Sequence, residues 1–371
     1  MPPMKVFILT LGTRGDVELF ITLGRELHRR GHRVMIGTSP FYAGRIRSAG
    51  LEHLNVGLGT RERMTGVLRS LSAIDDPKAR TLEFVHKWVI PQLKEGMRSI
   101  HLYAASADYF ISNLKLDIPS VTRKVPTAFV TYDLPADIQD LVRSVPPDGS
   151  QRILDLVAMN KKLVDPEQRW GPHLQFTGFW LPPCPCSYVP PQDMTRFLAT
   201  GAPPIVITLG SMSAVQANGV MARLIDAVHM VGRRAIILHG AMGPDPISND
   251  VFYAREEMPF PWLFSRCSLV IHHGGIGTVA ASLACGAPSI ILPHISAQWR
   301  IAQTLRNAGV AGGVFNPAAT DAGLLVTAIN HALHDGHVKV SAEKWKRLLS
   351  QDQGAVTAAD IIESHKISRG P

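Results

Sequence analysis

The sequence predicts an α/β protein built from two parallel-sheet domains, and three observations carry that prediction. Residues 5–13, Lys5-Val6-Phe7-Ile8-Leu9-Thr10-Leu11-Gly12-Thr13, read as a buried strand running into a glycine turn. Residues 205–211, Ile205-Val206-Ile207-Thr208-Leu209-Gly210-Ser211, repeat the pattern down to Thr-Leu-Gly and a following hydroxyl. Between them lies a proline-dense stretch. Unbroken apolar runs of this length suit strands buried on both faces, as in parallel sheets. Two such β-turn-α-β openings about two hundred residues apart imply two separate cores.

The elements follow in order. After the first strand, Val17, Phe20, Ile21, Gly24 and Leu27 fall on one face at helical spacing. Gly31 stops that helix, and Val34-Met35-Ile36 is the next strand. Residues 56–103 mix apolar and basic positions without strand alternation and read as helices and loops edging the first domain. Asp108-Tyr109-Phe110-Ile111-Ser112 and Ala128-Phe129-Val130-Thr131 are later strands of its sheet. The first domain is thus expected over 1–180. Leu181-Pro182-Pro183-Cys184-Pro185-Cys186 and Pro190-Pro191 make 181–204 a stiff linker. In the second domain, 205–371, Met221, Leu224, Ile225 and Val228 repeat the helical stripe and Ala235-Ile236-Ile237-Leu238 is the following strand. Val356-Thr357-Ala358-Ala359-Asp360-Ile361-Ile362 reads as a terminal helix.

Bulk composition narrows the class. With 371 residues, 46% hydrophobic and 18% charged, the chain is globular rather than disordered. No apolar run approaches the roughly 20 residues that cross a bilayer, and the start lacks the h-region of a signal peptide, so a cytoplasmic protein without integral membrane contact is expected. Four cysteines make no disulfide framework, and Cys184-Pro185-Cys186 has no second pair at zinc spacing. The net charge of +8 is spread along the chain with no basic block interleaved with aromatics, which argues against nucleic acid as partner. A basic surface or a polyanionic small substrate explains it equally well.

The chemistry concentrates in residues 268–284. Ser268-Leu269-Val270-Ile271-His272-His273 is a buried strand ending in two histidines, Gly274-Gly275-Ile276-Gly277 a glycine turn, and Thr278-Val279-Ala280-Ala281-Ser282-Leu283-Ala284 a helix. Glycines at a strand-to-helix turn let backbone N–H groups approach an anion, and a histidine adds a donor. The same glycines also serve an ordinary turn, and paired histidines also serve as plain hydrogen bonders. Context favours the phosphate reading. Cys285-Gly286-Ala287-Pro288-Ser289-Ile290-Ile291-Leu292-Pro293-His294 supplies a helix stop, a second buried strand and another polar strand end. In open α/β sheets ligands bind beyond such carboxyl ends. The absence of Gly-x-Gly-x-x-Gly after both opening strands excludes a dinucleotide-dependent oxidoreductase.

Three motifs now stand in a recognisable order. Gly12-Thr13-Arg14-Gly15-Asp16-Val17-Glu18, Leu209-Gly210-Ser211-Met212 and His272-His273-Gly274-Gly275-Ile276-Gly277-Thr278 resemble the corresponding motifs of bacterial natural-product glycosyltransferases of family 1. Glu257-Met258-Pro259-Phe260-Pro261-Trp262-Leu263-Phe264 resembles their nucleobase segment. The resemblance implies the GT-B fold: two Rossmann-like parallel-sheet domains facing across a cleft, with a C-terminal helix crossing back to the N-terminal domain. It implies a nucleoside-diphosphate sugar (UDP or dTDP) on the C-terminal domain and a small-molecule acceptor alcohol on the N-terminal one. His273, Gly275, Gly277, Thr278 and Ser211 would then meet the diphosphate, with Thr13 approaching from the other domain. Met258 would present backbone to the pyrimidine edge with Phe260 or Trp262 near its ring, unless those aromatics only fill the core.

Asp16 matches the position of the family's general base, and an alcohol acceptor needs one. As a residue preceding a helix, Asp16 equally suits an N-cap, and both roles are compatible. His28, His32 and His101 read as surface or helix-end residues, and Asp133 and Asp137 as acceptor-side candidates that orient a base. No Asp-x-Asp follows a strand near a phosphate turn, so no metal or other cofactor is expected, and the family implies inversion at the anomeric carbon. One departure stands out: where the family carries Asp-Gln for sugar hydroxyls, this chain has Ala297-Gln298. A site lacking an acceptor for a hydroxyl loses preference for sugars bearing it, which points to a deoxy or otherwise modified hexose, unless Ser296 or His294 substitutes. A lipid, sterol or carotenoid glycosyltransferase at a membrane surface is the alternative acceptor class. The missing Asp keeps a non-catalytic sugar-nucleotide-binding accessory protein open. A nucleotide-sugar 2-epimerase is disfavoured by the Gly-Thr-Arg-Gly-Asp opening.

Overall fold

The computed structural model describes residues 2–115, 119–122, 124–132, 153–164, 174–182, 188–210, 219–238, 250–254 and 256–367. Two compact units emerge. The first comprises 1–67, 82–182 and 352–371, and the second 68–81 and 183–351. Segment 68–81 groups with the second unit, and 352–371, which carries the terminal helix expected to cross back, groups with the first.

The first unit holds strands β1 (Lys5–Leu9), β2 (Arg33–Thr38), β3 (Glu52–Asn55), β4 (Tyr109–Ser112), β5 (Thr127–Thr131), β6 (Ile153–Val157) and β7 (Leu174–Phe176). They form one parallel sheet in the order β3-β2-β1-β4-β5-β6-β7. Helix α1 (Arg14–Arg29) follows β1 and α2 (Ile90–Ala105) leads into β4. The predicted stripe of α1, Val17, Phe20, Ile21, Gly24 and Leu27, is buried, and Leu23 joins it in the core with Val6, Ile8, Val34 and Ile36.

The second unit repeats the plan. Its strands β8 (Ile205–Thr208), β9 (Ala235–Leu238), β10 (Val251–Ala254), β11 (Leu269–His272), β12 (Ser289–Ile291) and β13 (Ala311–Val314) form a parallel sheet in the order β10-β9-β8-β11-β12-β13. Its helices include α3 (Val220–Met230), α4 (Phe260–Phe264), α5 (Ile276–Cys285), α6 (Ser296–Asn307), α7 (Ala322–His334) and α8 (Gly336–Leu349). In both sheets the strand order reverses direction beside the first strand of the unit, between β1 and β4 and between β8 and β11. Such switch points open a crevice at the carboxyl ends.

The last helix, α9 (Gly354–Ile367), packs on α1 in the first unit. Ala358, Ala359 and Ile362 enter the first core. Its polar side is held by Arg30, whose Nη1 donates to Asp360 at 2.6 Å and Glu363 at 2.9 Å. Glu363 also pairs with His32 Nε2 at 2.8 Å, while His32 Nδ1 accepts from the Met4 N–H. His32 is therefore buried (2% exposed) and fully engaged, not the surface residue its helix-end position suggests. The return is possible because residues 354 and 178 are glycines: a Cβ on Gly354 would lie 2.3 Å from the Phe179 carbonyl oxygen, and Gly178 has φ +88° against Asp352. Among the described residues no helix is long and apolar enough to cross a membrane.

Candidate functional site

At the first unit's switch point, the turn after β1 carries Thr13 and Asp16. Thr13, extended at ψ 177°, is the N-cap of α1, and Asp16 sits at the third helical position, so the cap is Thr13 and not Asp16. The Asp16 carboxylate reaches back over the turn: Oδ2 accepts from the Thr13 N–H at 2.6 Å and from Thr13 Oγ1 at 3.0 Å. Gly12 is the price of this arrangement, since a Cβ there would stand 2.3 Å from Oδ2. Asp16 Oδ1 accepts from the Tyr132 hydroxyl just beyond β5, and Asn113, just beyond β4, donates through Nδ2 to the Tyr132 oxygen at 2.8 Å. Burial raises the Asp16 pKa above the ordinary carboxylate range, against the bonds from Tyr132 and Thr13, which favour the ionised form. The sequence offered no signal for Tyr132 or Asn113, because proximity at adjacent strand ends depends on the sheet order. Asp133 and Asp137 lie outside the described residues.

The second unit's switch point is built around histidines. His272, last residue of β11 and wholly buried, accepts the Gly274 N–H on Nδ1 at 3.0 Å and so shapes the turn. His273 follows, half-buried, between two glycines. A Cβ on Gly210 (φ +56°) would come 2.7 Å from its ring and one on Gly275 2.4 Å. These glycines are therefore the walls of an imidazole slot as much as a flexible turn. Burial pushes His273 down to about 4, against the Thr208 carbonyl, and pushes His272 and His294 down to about 3. All three rings are neutral at pH 7, so His273 acts as a hydrogen-bonding group rather than a fixed cation. Beside it α5 begins at Gly275 without a side-chain cap, leaving the N–H groups of Ile276, Gly277 and Thr278 directed out of the helix end. Thr278 is itself buried.

The neighbouring strand end, after β12, is tied from two directions. Gln298 Oε1 accepts from the N–H groups of His294 at 2.8 Å and Ile295 at 3.4 Å, so its oxygen is committed to the backbone and only its amide nitrogen remains to meet a ligand. Gln298 also packs under the Gly274 turn, where a Cβ would fall 3.4 Å from its own. Arg80, from the 68–81 segment, donates from Nη1 to the His294 carbonyl at 2.7 Å and from Nε to the Ile74 carbonyl at 3.0 Å. Nothing near Arg80 in the sequence flags this role, since His294 lies 214 residues away.

In the nucleobase segment, Met258 is buried and Phe260 stacks on Phe264 with centroids 4.9 Å apart, so one face of that ring is spent on packing. Trp262 meets Tyr188 edge-on at 5.3 Å and lies under the Arg266 guanidinium at 4.6 Å. Ser211, Cys184 and Cys186 lie outside the described residues. Among the described residues no group of three or more His, Cys, Asp or Glu side chains is placed to hold a metal ion.

Comparison with known proteins agrees with this layout. A glycosyltransferase family 28 N-terminal domain model matches residues 6–95, and an erythromycin biosynthesis protein CIII-like C-terminal domain model matches 222–363. Among curated relatives, the sterol 3-beta-glucosyltransferase UGT80A2 of Arabidopsis thaliana is 26% identical over 98% of this chain and 66% of its own length. The O-mycaminosyltylonolide 6-deoxyallosyltransferase of Streptomyces fradiae is 24% identical, and the glycosyltransferase GtfE of Amycolatopsis orientalis 28% identical, each over 97% of both chains. The chain thus spans about two thirds of the plant relative and nearly all of the bacterial ones. The kitacinnamycin glycotransferase structure aligns with TM-score 0.72 at 18% identity, over 98% of this chain and 100% of its own. Glycosyltransferase VinC in complex with dTDP aligns with TM-score 0.67 at 18% identity, over 99% and 100%. These likenesses show the fold.

Proposed function

We propose, for a chain that belongs to the GT-B glycosyltransferases, that it moves a hexose from a UDP- or dTDP-sugar to a hydroxyl of a small-molecule natural product, without a metal and with inversion. The observation that carries this reading is the slot at the β8–β11 switch point, where His273 stands between Gly210 and Gly275 at the open end of α5. Helix-end N–H groups stabilise the negative charge that develops on a departing diphosphate, with the His273 ring shaping the slot beside them. Asp16, with its raised pKa, takes the proton of the attacking hydroxyl as the glycosidic C–O bond forms. The relative named O-mycaminosyltylonolide 6-deoxyallosyltransferase, aligned over nearly its whole length, favours that acceptor class.

The sugar is a deoxy or otherwise modified hexose. Ala297 supplies no carboxylate, and Gln298 spends its carbonyl oxygen on its own helix end, so the loop after β12 offers little to accept from sugar hydroxyls. Incubation with matched panels of dTDP- and UDP-linked sugars in EDTA, with release of the free nucleotide as readout, tests this. Faster turnover of deoxysugar donors than of glucose donors is expected, and strong preference for unmodified glucose contradicts it.

A second reading has a specific observation behind it. The outward face of α2 presents Lys94, Met97, Arg98, His101 and Leu102, with Leu102 65% exposed, a mixture suited to an anionic membrane surface and hence to a lipid or sterol acceptor. Co-sedimentation with phosphatidylserine vesicles separates the two acceptor classes.

A further inference from the structure

Three strand ends of the first unit converge on one carboxylate. Among the described residues, Asp16 Oδ2 accepts from Thr13 twice, through its N–H and its hydroxyl, and Oδ1 accepts from the Tyr132 hydroxyl. Each carboxylate oxygen offers two lone pairs, so the two Thr13 bonds occupy Oδ2, and Oδ1 is the oxygen turned toward the Tyr132 hydroxyl. Asn113 donates to the Tyr132 oxygen, which directs the phenol's own proton toward Asp16. The result is a one-way chain, Asn113 to Tyr132 to Asp16, assembled from residues beyond β4, β5 and β1.

We propose that Tyr132, aligned by Asn113, is a positioning residue that fixes the Asp16 carboxylate so that Oδ1 receives the proton of the acceptor hydroxyl. The inference rests on the reading of Asp16 as the base. In the step it serves, the acceptor O–H bond breaks as its oxygen bonds the anomeric carbon. The proton ends on Asp16 Oδ1, and the electron pair of the old C–O bond leaves with the diphosphate. A bond from Tyr132 to the ionised carboxylate also opposes the effect of burial. On its own helix, Arg14 and Glu18 pair with each other at 3.8 Å, and Arg45 also pairs with Glu18. From the ends of β4 and β5 come the Asn113 amide and the Tyr132 hydroxyl, of which Tyr132 bonds Asp16 directly and Asn113 bonds Tyr132.

The test combines a titration with an assay. In protein labelled with ¹³C at the aspartate carboxyls, the Asp16 resonance is assigned by its absence in Asp16→Asn and followed against pH. Tyr132→Phe keeps the ring and is expected to raise the Asp16 pKa by about one unit. Asn113→Ala is expected to raise it by less, and serves as the test if the first variant fails to fold. In parallel, hydrolysis of UDP-glucose and dTDP-glucose, with water as the probe acceptor, is measured for wild type and all three variants. Loss of hydrolysis in Tyr132→Phe together with the raised pKa supports the proposal. An unmoved Asp16 titration in both Tyr132→Phe and Asn113→Ala overturns it, and if Asp16→Asn has lost hydrolysis the base assignment survives alone. Hydrolysis retained in Asp16→Asn overturns the base assignment, and the proposal with it.

Discussion

At Asp16, two opposed effects set the chemistry: burial favours the neutral acid, while Thr13 and Tyr132 favour the anion, and burial prevails. A base must be ionised to act, so its activity falls as pH drops through a pKa above the ordinary carboxylate value of about 4. The profile of kcat/KM reports the free protein, where His272, His273 and His294 are held at about 3 to 4 and so change charge only at lower pH. We therefore expect one acid limb, set by Asp16, with no imidazole step between pH 5 and 8. Asp16→Asn should lower kcat by roughly 10²–10⁴-fold. An additional limb near pH 6.5 would show that a histidine is charged in the working enzyme. At this scale the sequence shows what is local. His273 and its glycines are contiguous or in motif, and so are Thr13 and Asp16. Tyr132 is 116 residues from Asp16 and Arg80 is 214 from His294, and neither separation leaves a periodic trace.

Among the elements, α9 depends on a small set of contacts. Glu363 faces both Arg30 and the buried His32, so Glu363→Ala removes the partner of His32 Nε2 and one of the carboxylates on Arg30. A loss of about 2 kcal/mol follows, which lowers Tm by roughly 4–8 °C in a unit of this size. Calorimetry measures it, and an unchanged Tm would show that the apolar contacts of Ala358, Ala359 and Ile362 alone hold the helix. The long, periodic elements were legible, α1 and the two opening strands above all, because their apolar faces repeat over enough residues to exclude other periods. The short ones were not. β3 is only partly buried, β7 has three residues, and β13 reads Ala-Gly-Gly-Val, with no pattern that separates a strand from a loop. The crossing of α9 came from the family resemblance, whereas its anchors, Glu363 and Asp360, look in sequence like ordinary surface charges.

Across the whole molecule, each unit places its chemistry where its strand order reverses: Asp16 beside β1 and β4, His273 beside β8 and β11. The two short motifs of the sequence fall at these reversals, one in each unit. Segment 68–81 groups with the second unit, where Arg80 donates to the His294 carbonyl, and no strand signal in the sequence marks that contact. The central claim is that the second unit binds a nucleoside diphosphate through the His273 slot. Thermal denaturation of the full chain with UDP, dTDP, GDP and ADP, in EDTA and in magnesium, measures this directly, for wild type and His273→Ala. A micromolar ligand at about a hundred times its Kd adds about 2.7 kcal/mol. The account predicts a metal-independent rise in Tm with UDP or dTDP that is largely lost in His273→Ala. No rise with any of the four nucleotides, or an undiminished rise in the variant, would contradict it.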